Sequence, residues 1–189
     1  MEILLGDSSG WLWTILLMLL TVPMVEFRSL DITGTEPANR TTAGSVVSVD
    51  TPLDFGTVNN TAAAVDAGPA CLVFRCTDLQ GNTSISNLRF WLNNNGDFSG
   101  TTRFFSDITD TWAQNKTTAQ ISGGTPGIVP DSVPSANATA MGGGDITGIG
   151  HGDTSQYIYL AINVGIDEII GAKGGVGEAF SFALKFDYA

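Results

Sequence analysis

Residues 180–188 read FSFALKFDY, and their strict alternation constrains the fold more than any other feature of the chain. Phe180, Phe182, Leu184 and Phe186 fall on one side of an extended backbone, and Ser181, Ala183, Lys185 and Asp187 on the other. A period of two cannot be accommodated by a helix. It predicts a half-buried antiparallel strand with an aromatic face turned to a core.

The rest of the chain agrees with this reading. Residues 156–163, QYIYLAIN, are almost continuously apolar and predict a central strand covered on both faces. Residues 84–92, SISNLRFWL, place Leu88, Phe90 and Leu92 on one side. The run 70–77, ACLVFRCT, leads into them through DLQGN, which predicts a glycine-containing hairpin loop. Weaker strands are predicted at residues 29–33, 46–50, 53–58 and 103–108. Between these runs lie long loops rich in Gly, Asn, Asp and Pro, including MGGGDITGIGHG at 141–152 and GAKGGVG at 171–177. Many short strands with such turns predict an all-β, antiparallel β-sandwich, immunoglobulin-like or jelly-roll-like, over residues 28–189. With 43% hydrophobic and 14% charged residues, the chain has the apolar content of a packed domain.

Before the predicted domain, residues 11–25 read WLWTILLMLLTVPMV and carry no charge. As a helix they would span roughly 22 Å, less than the ~30 Å of a bilayer core. Residues 1–27 are therefore expected to form an N-terminal hydrophobic helix serving as signal peptide or membrane anchor, with Pro23 closing it. The flank before it carries Glu2 and Asp7 and no basic residue, unlike an ordinary export signal. Sequons at Asn39, Asn59, Asn82, Asn115 and Asn137 are candidate glycosylation sites. Chance predicts on the order of two. Together these features point to a secreted or cell-surface glycoprotein.

Residues 53–58, LDFGTV, followed by the apolar run CLVFRC, resemble the opening of immunoglobulin-like, hydin-type domains of secreted and surface proteins. The resemblance spans residues 45–95. It implies a sandwich fold and a surface location, and it brings no catalytic residues. The usual asparagine-glycine turn after the second strand is replaced here by DLQGN.

The net charge of −11, with Lys116, Lys173 and Lys185 the three lysines, argues against a nucleic-acid partner. AKGGVGE at 172–178 imitates a phosphate-binding loop but has Glu178 where the phosphate lysine belongs and Ala179 for the magnesium-binding hydroxyl. No nucleotide is expected. GDSSG at 6–10 lacks the preceding strand of a nucleophile elbow. Asp54, Phe55 and Gly56 lack the other parts of a kinase site. The single histidine, His151, reads as a loop residue. No catalytic, cofactor-binding or metal site is therefore assigned, and the chain is expected not to be an enzyme.

Calcium is the cofactor with the best claim. NNNGD at 93–97 and the loop carboxylates Asp107, Asp110, Asp145 and Asp153 supply oxygen donors. Gly96 precedes the last acid, however, so the EF-hand spacing is not met. Cys71 and Cys76, five residues apart, should face opposite sides of a strand about 16 Å apart, beyond the ~7 Å limit for a disulfide.

Two functions follow. One is a non-catalytic structural or adhesive surface protein, such as a self-assembling surface or filament subunit. Its partners would be copies of itself or other surface proteins, and residues 28–33 could be donated to a neighbour as a strand. The other is a monomeric ligand- or carbohydrate-binding module. Trp112 is the expected exposed sugar platform, and Trp91 is expected in the core.

Overall fold

The computed structural model describes residues 22–48, 50–51, 53–60, 63–135, 145–150, 153–168 and 180–189. The architecture is all-β and antiparallel. Its elements are β1 (Met24–Leu30), β2 (Ser45–Val46), β3 (Val65–Asp78), β4 (Ile85–Asn94), β5 (Arg103–Thr109), α1 (Thr118–Ser122), β6 (Pro126–Ile128), β7 (Tyr157–Val164) and β8 (Ser181–Tyr188). Six strands form one sheet in the order β2-β1-β3-β7-β5-β6, and β4 and β8 form a second.

The two sheets share one apolar cluster. The larger sheet contributes Leu72, Phe74, Phe104, Ile158, Leu160 and Ile162, and β4 contributes Ile85 and Phe90. The alternation of β8 does what its sequence predicts: Phe180, Phe182, Leu184 and Phe186 pack against this cluster. Phe104 meets Phe180 and Phe182, and Phe74 meets Phe186. Side chains of this size contribute roughly 1.5–3 kcal/mol each when fully buried.

The opposite face of the large sheet is also covered. Tyr157, Tyr159, Ala161, Cys71 and Val73 form a second cluster with Leu30 and Ile121. Ile32, Ala43, Trp112 and Ala113 complete it from the loops. The two covering loops are tied together, with the Asn115 amide donating to the Ile32 carbonyl at 2.8 Å. Ile121 is delivered by α1, whose Thr117 and Gln120 form a reciprocal capping box. Burial on both faces explains why β7 reads as continuously apolar.

Several sequence expectations need correction. The run before DLQGN and the run after it do not form a hairpin. Both edges of β3 are occupied, by β1 and β7, so the chain crosses to the other sheet and β4 pairs with β8. Residues 53–58 form no strand. Gly56 has φ +78°, and the Phe55 carbonyl accepts the Gly68 amide, at a bulge that shifts the register of β3. The strand expected at 29–33 lies earlier, at Met24–Leu30, and of the described residues in the run expected at 46–50 only Val46 belongs to a strand, Ser45–Val46. β1 is seated between β2 and β3, with Phe27 against Phe74 and Phe90, instead of hanging free for donation. Met24 and Val25, inside the segment 1–27, are thus part of the sheet. The remainder of the apolar run, residues 11–21, lies outside the described residues. Among the described residues no helix is long and apolar enough to cross a membrane.

Strand direction sorts the loops into two ends. Met24 pairs with Asp78, Thr109 with Tyr157 and Ile85 with Tyr188, which defines an entry end where the chain joins the sheet. Val65 pairs with Val164, Arg103 with Asn163 and Asn94 with Ser181, which defines the far end.

Candidate functional site

The far end carries a polar cluster drawn from three loops. Glu168 is buried, and its carboxylate accepts from the Ser99 amide at 2.7 Å and the Thr102 hydroxyl at 2.8 Å. The Thr102 hydroxyl in turn accepts the Gly165 amide at 3.0 Å. The buried Asn60 side chain donates to the carbonyls of Gly165 and Glu168. Next to them, Asp167 accepts from the Ser99 hydroxyl at 3.0 Å and from the Thr101 hydroxyl. These two hydroxyls, Thr101 foremost, hold its carboxyl below the usual range for an aspartate. The network ties together three loops that are distant in sequence. Buried polar groups need such partners, and here nearly all of them are supplied by loop hydroxyls and amides.

Beside this clasp lies an open groove of about 340 Å³ between the end of β4 and the β5–β6 pair. Leu92, Phe104 and Val129 make its apolar floor, and Asn95, Arg103 and Asp131 stand among its polar walls. Arg103 is steadied by the carbonyls of Gly100 and Thr102. Such a surface can hydrogen-bond a polar ligand through amide, guanidinium and carboxylate groups.

The residues considered for calcium are not brought together. The side chain of Asn94 accepts the Gly96 amide at 3.0 Å, and Gly96 has φ +60°, so NNNGD closes a turn at the far end. Asp107 is paired with Lys116 and Asp110 accepts from Gln156, both on other parts of the fold. Asp153 accepts the Gly150 amide within its own loop. Among the described residues no group of three or more His, Cys, Asp or Glu side chains is placed to hold a metal.

Of the sequons, Asn59 and Asn115 are exposed, and Asn115 sits at φ +54° in a loop. Asn39 is half-buried, and its side-chain oxygen accepts from the amide and hydroxyl of Thr41. Asn82 is buried, with its amide donating to the Leu79 carbonyl at 2.5 Å, so a glycan there would displace an internal hydrogen bond. Asn137, His151 and the segments 6–10 and 171–178 lie outside the described residues.

Both tryptophans are half-buried, so neither takes the role expected of it. Trp112 packs edge-on against Tyr157, with ring centroids 5.2 Å apart, at the margin of the second cluster. Trp91 is half-buried opposite Ala183, on the face of β4 and β8 turned away from Phe90. Nothing in the sequence marked Asn60, Ser99, Thr102 or Glu168. Ser99, Thr102 and Glu168 belong to no motif, Asn60 is only the middle residue of the Asn59 sequon, and Thr102 and Glu168 lie 66 positions apart. No family model, curated protein or solved structure matches this chain.

Proposed function

We propose that this chain is a non-catalytic structural or adhesive protein of the cell surface or extracellular space, built as a β-sandwich that associates with copies of itself through its sheet edge. The observation that carries this reading is the outer edge of β8. Among the described residues β8 pairs along its eight residues only with β4. The large sheet, by contrast, ends in β2 and β6, of two and three residues. Short edge strands resist pairing with another chain, whereas a long edge invites it. The apolar segment before β1 would serve as export signal or tether. The immunoglobulin-like or jelly-roll-like character of the sandwich belongs to this same reading.

The test is light scattering coupled to size exclusion on residues 22–189 over a range of concentrations, with hydrogen exchange of the β8 amides. Concentration-dependent oligomers in which β8 gains protection support the proposal. A monomer at every concentration, with part of β8 exchanging freely, overturns it.

A second reading, a monomeric ligand- or carbohydrate-binding module, is favoured by the groove beside Arg103 and Asp131. With Trp112 packed against the second cluster, the expected sugar platform is replaced by this amide-rich groove. Glycan-array binding that is lost in Arg103→Ala and Asp131→Ala, with the fold intact, would favour this module over the self-associating subunit.

A further inference from the structure

We propose that the entry end of the fold is a membrane-contacting face that lies directly on a lipid bilayer; this rests on the reading of residues 11–25 as a tether. The apolar run meets the sheet without a linker. Met24 and Val25 close the apolar run and at the same time belong to β1, where Val25 pairs with Cys76 and packs against the core. A strand rises about 3.3 Å per residue, so a bilayer holding the preceding apolar residues lies within a few residues of the sheet. A domain joined this closely cannot swing away from the surface.

The entry end also exposes large apolar side chains. Val22 is 60% exposed, Met24 56%, Ile149 60% and Tyr188 40%. Register brings them to one end: Met24 pairs with Asp78 at the close of β3, Tyr188 pairs with Ile85, and Ile85 bridges to Ile146, three residues before Ile149. Exposed apolar side chains gathered at the point where a hydrophobic tether enters are the expected composition of a face resting in the headgroup boundary. Asp78, Asp145, Asp153 and Asp187 lie at or near this same end, so the surface it suits is zwitterionic, because an anionic one would repel them. The far end, with its groove and its loop clasp, then faces away from the bilayer.

The experiment uses the full chain reconstituted into phosphatidylcholine vesicles. Ile149→Cys, Tyr188→Cys and Ile166→Cys variants are labelled with an environment-sensitive fluorophore under native conditions, where Cys71 and Cys76 are buried. Ile166 is 59% exposed at the far end and serves as the control. The expected result is a blue shift at 149 and 188, with lipid-borne quencher at least twofold more effective there than at 166. A chain that floats with the vesicles but shows equal quenching at all three positions overturns the membrane-contacting face and leaves the tether standing. A chain that does not float with vesicles removes the tether, and this inference with it.

Discussion

Phe27 and Phe74 are cross-strand partners in the β1–β3 ladder, and their rings meet edge-on with centroids 5.7 Å apart. Phe27 also reaches Phe90 in the other sheet, so one residue of β1 joins both layers. Beside it, the Glu26 carboxylate is shared by Arg28 and Arg75, at 3.1 and 2.5 Å. β1 is therefore an integral strand. Phe27→Ala should cost about 3 kcal/mol, at the low end for a Phe truncation because Phe27 is half-buried. A chain beginning at residue 28 should unfold at lower urea than one beginning at residue 22, since it loses both Phe27 and the shared anion. Equal midpoints would refute the structural role given to β1.

Gly44 has φ +70°, and a Cβ there would lie 1.9 Å from the Ser29 carbonyl oxygen. The neighbour is backbone of β1 and cannot rotate away. The Gly44 carbonyl also accepts from Arg28 at 2.6 Å, which fixes the approach. Gly44→Ala is expected to destabilise by roughly 1–3 kcal/mol through strain at a left-handed position together with the forced separation of the segments. Thermal unfolding of the variant against Ser45→Ala would measure it.

Asp167 is held below the usual aspartate range by Thr101 and then Ser99. Its carboxyl therefore takes up a proton at lower pH in the folded chain than in the unfolded chain. The stabilisation this implies is present above the unfolded value, about 3.9, and is lost as pH falls through the folded value. A carbon-detected NMR titration should place the Asp167 midpoint below the ordinary aspartate value of about 3.9. Thr101→Val should raise it more than Ser99→Ala does. A midpoint unmoved by either variant would show that the hydroxyls do not engage the carboxylate in solution.

Cys71 and Cys76 are free, buried and on opposite faces of β3, one in each apolar cluster. Burial pushes both thiols up from their ordinary value, Cys71 the more strongly. Since the thiolate is the reactive form, neither should be alkylated by iodoacetamide at pH 8 in the folded chain, and both should be in denaturant. Intact mass after each treatment decides the matter. Rapid modification of Cys71 under native conditions would contradict its burial.

How much of this was legible in the sequence depended on the range of the forces involved. The aromatic face of β8, the two-sided burial of β7 and the opposed cysteines all follow from the period of a single strand. The partner of each strand does not. DLQGN looks like a hairpin loop because the apolar runs on either side of it are adjacent in sequence. Only the occupation of both edges of β3 sends the chain to the other sheet. The clasp at the far end was illegible for the same reason, because Asn60, Thr102 and Glu168 are unremarkable loop residues until three loops meet.

By itself, then, the sequence determined that the chain is all-β, which residues of its regular strands turn inward, and that its N-terminal run is apolar, since side-chain alternation and composition are local properties of the chain. The tertiary structure alone decided that Trp112 packs against the second apolar cluster and Trp91 lies opposite Ala183, that β1 begins within the apolar run, and that among the described residues β8 pairs only with β4. Those outcomes depend on which surfaces other segments cover, and burial of that kind is set by contacts between residues far apart in the chain.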